Sequence, residues 1–191
     1  MKMKRKLFLT AALLLLAGLG VRAGEPTAYD LIRRGDQFVG VQSKDKVVQI
    51  RSEKSIGSLV PNIWYVVYYD PDATFKSVEI KFGAGEKLDV TRPWRILEMV
   101  GDDHRILDSA KLRVDSNEAI HIATTQPLLE NLKLTATQLW LEHGDYGPQW
   151  RVKLWAQRLK NPQEDADIGI VILSATDGSI IKIDLHPGSV D

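Results

Sequence analysis

The chain has 191 residues, with 25 basic and 25 acidic side chains and no cysteine. The lack of cysteine excludes thiol catalysis, cysteine-ligated zinc and disulfide stapling, so stability must come from a packed core. The balanced charge argues against a nucleic-acid footprint, which needs clustered Lys and Arg.

At the N-terminus, Lys2, Lys4, Arg5 and Lys6 precede an apolar run from Leu7 to Gly20, followed by Val21-Arg22-Ala23. This is the layout of a secretory signal cleaved after Ala23, and it predicts an exported protein, periplasmic or extracellular. The other reading is a retained anchor, although the run is shorter than the roughly 18–20 residues that span a bilayer. Five basic residues and no acids lie in residues 1–23, so cleavage leaves 20 basic against 25 acidic residues, a mildly acidic chain.

Two candidate helices follow, Ala28 to Gln42 and Lys44 to Lys54. Leu31, Ile32 and Phe38 mark the buried side of the first. In the second, Val47 and Val48 are β-branched and leave a strand reading open. Trp64 to Tyr69 reads as a strand, Asp70-Pro71-Asp72 as a turn, Ser77 to Phe82 as a second strand and Gly83-Ala84-Gly85 as a hairpin turn into a short last strand. Residues 93–110 form a connecting segment in which Trp94, Ile96 and Leu97 predict close packing of the two halves.

A further helix is expected in DSNEAIHIATTQ, capped by Asp115 or Ser116, with Glu118 in its first turn. Ala119, Ile122, Ala123 and Gln126 share one face, with Ile120 beside them, and Pro127 ends or kinks it. In the strand that follows, Trp150, Val152, Leu154 and Ala156 alternate with Arg151, Lys153, Trp155 and Gln157, so the first set is expected in the core and the second on the outer face. Ile181, Ile183 and Leu185 likewise alternate with Lys182 and Asp184. Between Ile172 and Ile180, Asp177-Gly178 is a hairpin signal, because Gly accepts positive φ and Asp tolerates it. Asp177 is therefore read as a turn residue rather than a reactive acid.

Residues 63–90 and 149–184 match in order. Trp64–Tyr69 lies over Trp150–Trp155, and each is followed by a turn, an apolar strand, a Gly turn and a last strand. This predicts two copies of one unit, residues 24–92 and 111–191. The order of DSNEAI helix, strand, W-x-V-x-L strand, IGIVILSATDG strand and IIKID strand resembles the PepSY domain over about residues 108–187, and residues 28–90 resemble it more distantly. The resemblance implies an α+β fold, each unit a helix or helices packed on a twisted antiparallel sheet. It also implies a binding or inhibitory module outside the cytoplasm, without catalytic residues of its own. A tandem pair is similar to the architecture of secreted β-lactamase inhibitor proteins, which use disulfides where this chain has no cysteine.

No cofactor motif is found: Gly83-Ala84-Gly85-Glu86 lacks the residues of a phosphate loop, and Ser174 and Ser179 lack a nucleophile-elbow setting. Two acidic groups are metal candidates, Asp102-Asp103-His104 with Asp108, and Glu164-Asp165-Ala166-Asp167. The competing reading of both is solvated acid, and no metal site is assigned. The strand Trp64–Tyr69 carries large groups on both faces. Either the far face is covered by the other half, or it is an exposed aromatic patch of the kind that protein-binding surfaces concentrate. In the second case Tyr65, Tyr69, Trp140 and Trp155 are the candidate hot spots, with Arg151 and Lys153 as their polar surround. The leading expectation is an exported non-catalytic binding module, inhibitor-like, that takes a protein or peptide partner on its sheet face. The alternatives are an envelope structural or assembly factor and a hydrolase of unrecognised type.

Overall fold

A computed structural model describes residues 25–92 and 105–191. The expected signal, Trp94, Ile96 and Leu97, and the metal candidates Asp102, Asp103 and His104 lie outside the described residues. No helix among the described residues is long and apolar enough to cross a membrane.

Helix α1 spans Ala28–Gly35 and α2 spans Ser116–Thr124. Thr27 starts α1 through a capping box: its hydroxyl accepts from Asp30 N, and the Asp30 carboxylate accepts from Thr27 N at 3.2 Å. Asp115 caps α2, as expected. The expected helix to Gln42 is shorter: the chain turns after Gly35, and only a 3-10 turn at Val41–Ser43 follows. Phe38 consequently leaves the core and is 42% exposed, with the Lys87 ammonium over its ring.

The eight strands are β1 Val47–Ser52, β2 Ile63–Tyr69, β3 Ser77–Gly83, β4 Glu86–Thr91, β5 Leu134–Gly144, β6 Gly147–Gln157, β7 Asp165–Ser174 and β8 Ile180–Leu185. The helix expected at Lys44–Lys54 is therefore strand β1; the β-branched Val47, Val48 and Ile50 fit a pleated surface better than a helix. All pairs are antiparallel, in one sheet ordered β4-β3-β2-β1-β5-β6-β7-β8. The two halves are thus not two sheets docked on each other. They join edge to edge where β1 pairs β5.

That joint is short, with Gln49, Ile50 and Arg51 opposite Glu142, Leu141 and Trp140. Beyond it three buried side chains continue the bonding. The Ser52 hydroxyl accepts from Leu139 N at 2.9 Å, and the Ser55 hydroxyl accepts from Thr137 N at 2.9 Å. Thr137 in turn donates its hydroxyl to the Leu59 carbonyl at 2.7 Å. Without them, β5 would carry buried, unpaired amides into the core.

Both helices lie on one face of the sheet, over Ile50, Trp64, Val66, Tyr68, Leu139, Leu141, Trp150, Val152 and Leu154. Their N-termini clasp. Ala28 N donates to the Ser116 hydroxyl at 3.0 Å, and Tyr29 N to the Asp115 carboxylate at 3.2 Å. The Tyr29 hydroxyl and, at 2.8 Å, the Trp150 indole both donate to the Val114 carbonyl. The core set of β6 is buried as the alternation requires. On β8 it is not: Ile181 is 38% and Ile183 41% exposed, because β8 is an edge strand that the helices do not reach across. The Asp177–Gly178 turn is present, with Gly178 at φ +76° and the Asp177 carboxylate accepting from both N and Oγ of Ser179. Those bonds hold the Asp177 carboxyl below its usual range.

Candidate functional site: the sheet face opposite the helices

A strand buries every second side chain against the helices and turns the others to the opposite face. On that face the cross-strand register aligns one residue from every strand. The row reads Asp89, Lys81, Tyr65, Arg51, Trp140, Arg151, Ile172 and Lys182, from β4 to β8 in sheet order. It spans about 34 Å at the usual interstrand spacing. Its centre alternates cation and ring: Lys81, Tyr65, Arg51, Trp140, Arg151.

The rings and cations touch. The Arg51 guanidinium carbon lies 4.0 Å from the centre of the Tyr65 ring, and the Lys81 ammonium lies 5.1 Å from the same ring. The Arg151 guanidinium lies 6.0 Å from the Trp140 ring. Such contacts within about 6 Å are attractive through the ring quadrupole and keep the long side chains extended over the face. Each cation also has an acid: Arg51 with Glu79 at 2.9 Å, Lys81 with Glu53 at 3.3 Å, Arg151 with Glu142 at 3.3 Å. The Tyr65 hydroxyl donates to Glu53, and this bond, with Lys81, holds the Glu53 carboxyl below its usual range.

The six residues singled out in the sequence all have their side chains on this face, and all are half-buried. They do not form one cluster. Tyr65, Trp140 and Arg151 belong to the central row. Tyr69 lies four residues along β2 toward one end of the face, where it packs with Val48, Val67 and Ile106. Trp155 lies four residues along β6 toward the opposite end, so the two rings are about 25 Å apart along the strands. At that end the Trp155 ring sits between the ammonium groups of Lys54, at 4.8 Å, and Lys153, at 5.1 Å. Lys54 pairs with Asp165 at 3.0 Å and Lys153 with Asp167 at 2.7 Å, so two acids of the 164–167 group serve separate ion pairs. Lys54 holds the Asp165 carboxyl below its usual range. Asp108 caps a 3-10 turn through Ala110 N at 3.0 Å. An open hollow of about 490 Å³ lies beside this end, between the 54–59 loop and Lys133–Thr135.

The other half does not cover the far face, since the halves lie side by side in one sheet. Arg51, Lys81 and Lys54 interleave the rings there, beside the Arg151 and Lys153 that the sequence singles out. Arg51, Lys81 and Lys54 were missed because the segment around Arg51 reads as a helix and the partners of Tyr65 lie on other strands. The signal for Arg51 is the alternation of Gln49 and Arg51 with Ile50 and Ser52. Acids matching the cations leave no net basic field of the kind that phosphate backbones require. What the arrangement offers is a continuous row of rings and guanidinium groups across the sheet. No protein-family model, curated protein or solved structure was found to match this chain.

Proposed function

We propose that this is an exported, non-catalytic binding module that takes a protein or peptide partner on the sheet face opposite its helices. The observation that carries the reading is the central row of Tyr65, Arg51, Trp140 and Arg151. Tyr, Trp and Arg are the residues that dominate binding energy at protein interfaces, chiefly near the centre of the contact. Here they are held in register by the sheet, so little side-chain freedom remains to be lost on binding. A partner must displace or share the Glu79, Glu53 and Glu142 pairings, which favours one with its own matched polar groups over a merely greasy one.

The same proposal includes two PepSY-like units, residues 24–92 and 111–191. Its support is the element order: each half gives a helix and then four antiparallel strands, and the strand order of one half mirrors that of the other about the β1–β5 joint. The binding reading is tested by a cross-linking pull-down from the extracytoplasmic fraction. The wild-type chain is compared with Trp140→Ala and with Trp155→Ala. A partner captured by the wild type and lost from folded Trp140→Ala supports the central row as the contact. Capture that survives both substitutions removes this face as the site.

A further inference from the structure

The outer edge of β8 matches itself. The His186 amide donates to the Ile168 carbonyl at 2.8 Å. Amide direction alternates along a strand, so Asp184 and Lys182 also turn their backbone groups to β7, whereas Ile183 and Leu185 turn theirs outward. Among the described residues, those outward groups have no strand beyond them in the sheet order. After Leu185 the chain turns away into the 3-10 turn Pro187–Val190, where the Val190 carbonyl accepts from Leu159 N at 2.8 Å. The edge that remains carries Ile183, opposite the buried Val171, with Ile181 beside it at a bulge in the β7–β8 pairing, each more than a third exposed, and Lys182 and Asp184 on the other face. An edge of this kind templates further strand pairing.

We propose that β8 pairs antiparallel with β8 of a second copy, about a two-fold axis through Ile183. The axis falls on a residue whose N–H and C=O both point outward, so Ile183 exchanges two backbone hydrogen bonds with its mate. Ile181, at the bulge where regular pairing ends, then lies near Leu185 of the other copy and adds to the apolar, helix-side surface at the junction. Lys182 faces Asp184 of the other copy, and Asp184 faces Lys182. These are non-hydrogen-bonded pairs, the closely spaced kind in which opposite side chains interact most strongly. Within one chain Lys182 already lies 2.9 Å from Asp184, so the junction closes a ring of four alternating charges. On the opposite edge, β4, a two-fold axis through Leu88 would also set Lys87 against Asp89, but Leu88 is the bulged residue of the β3–β4 pairing and Glu86 would face Val90. The result is one sixteen-stranded twisted sheet that carries both binding faces on the same side.

The test is sedimentation velocity on the purified protein up to about 100 µM, a range that detects micromolar affinity. The wild type is expected to dimerise. Lys182→Glu sets acid against acid at the junction, and Asp184→Lys sets amine against amine, so each variant alone is expected to dimerise at least about tenfold more weakly. Mixed in equal amounts, the two variants set the introduced acid of one chain against the introduced amine of the other. The second contact keeps its native Lys182 and Asp184, one from each chain, and dimers are expected to return. Ile183→Pro removes an outward N–H without breaking a bond to β7 and is expected to be monomeric. A monomeric wild type, variants that dimerise as well as the wild type, or a mixture that stays monomeric would each overturn the proposal. The charge-swap mixture decides the matter even if the proline variant fails to fold.

Discussion

The Arg51 guanidinium lies 4.0 Å from the centre of the Tyr65 ring and 2.9 Å from the Glu79 carboxylate. One side chain thus links β1 to β2 and, across it, to β3. Arg51→Met keeps the aliphatic packing and removes both electrostatic contacts. Glu79 is largely buried, so losing its guanidinium partner costs more than an exposed pair would. The expected loss is about 1–3 kcal/mol in a denaturant titration, with the secondary structure unchanged by circular dichroism.

Ser52 and Ser55 set the seam between the halves. Each hydroxyl accepts a buried β5 amide, and Ser55 also donates to the Ser58 carbonyl at 2.7 Å. Ser55→Ala leaves Thr137 N–H without that acceptor. A loss of about 1–3 kcal/mol is expected, together with faster hydrogen exchange at Thr137 and Leu139. Uniform exchange across β5 with unchanged stability would show that the seam does not depend on these hydroxyls.

Gly169 permits the β7–β8 contact. Its φ is +110°, and a Cβ there would lie 2.0 Å from the Asp184 carbonyl oxygen. Neither the backbone angle nor the space suits a side chain. Gly169→Ala is expected to cost about 3 kcal/mol or more and to expose the amides of Lys182 and Asp184 to exchange before the rest of the sheet.

Stability should fall in alkali, through the two helix-side tyrosines. Burial first, and then the nearby Asp115, pushes the Tyr29 hydroxyl well above its ordinary range; burial and then Asp36 do the same for Tyr68. Both hydroxyls donate to backbone carbonyls, of Val114 and of Ile32, and ionised oxygens cannot. In the unfolded chain they ionise near pH 10. The native state therefore holds more protons above that pH, and stability is full below pH 10 and lost as pH rises past it. Thermal melts between pH 8 and 11 check this. In the double variant Tyr29→Phe, Tyr68→Phe the fall above pH 10 is expected to be shallower, from a lower starting stability.

Much of this architecture was legible because it rests on local signals. The period of two in Trp150–Gln157 placed Val152 and Leu154 in the core, Asp115 announced α2, and Asp177–Gly178 announced its turn. The segment around β1 was not, since Lys44 to Lys54 has bulged strand pairing between Val47 and Gln49 that spoils the alternation. The single continuous sheet was not legible either. It depends on a three-residue pairing of β1 with β5, separated by about ninety residues of chain, and on three buried hydroxyls with no local pattern. The same holds for the face. Trp140 and Arg151 were found from their strands, but the alternation of ring and cation exists only across strands, in a register that no single segment encodes.

The central claim is that the face carrying Trp140 is where a partner sits. A photo-crosslinking residue placed at Lys153, on that face, and separately at His121, exposed on α2, tests it in cells that make the full chain. Adducts from position 153 and none from position 121 are the expected result. Adducts from position 121 alone, or from neither position, would contradict the account.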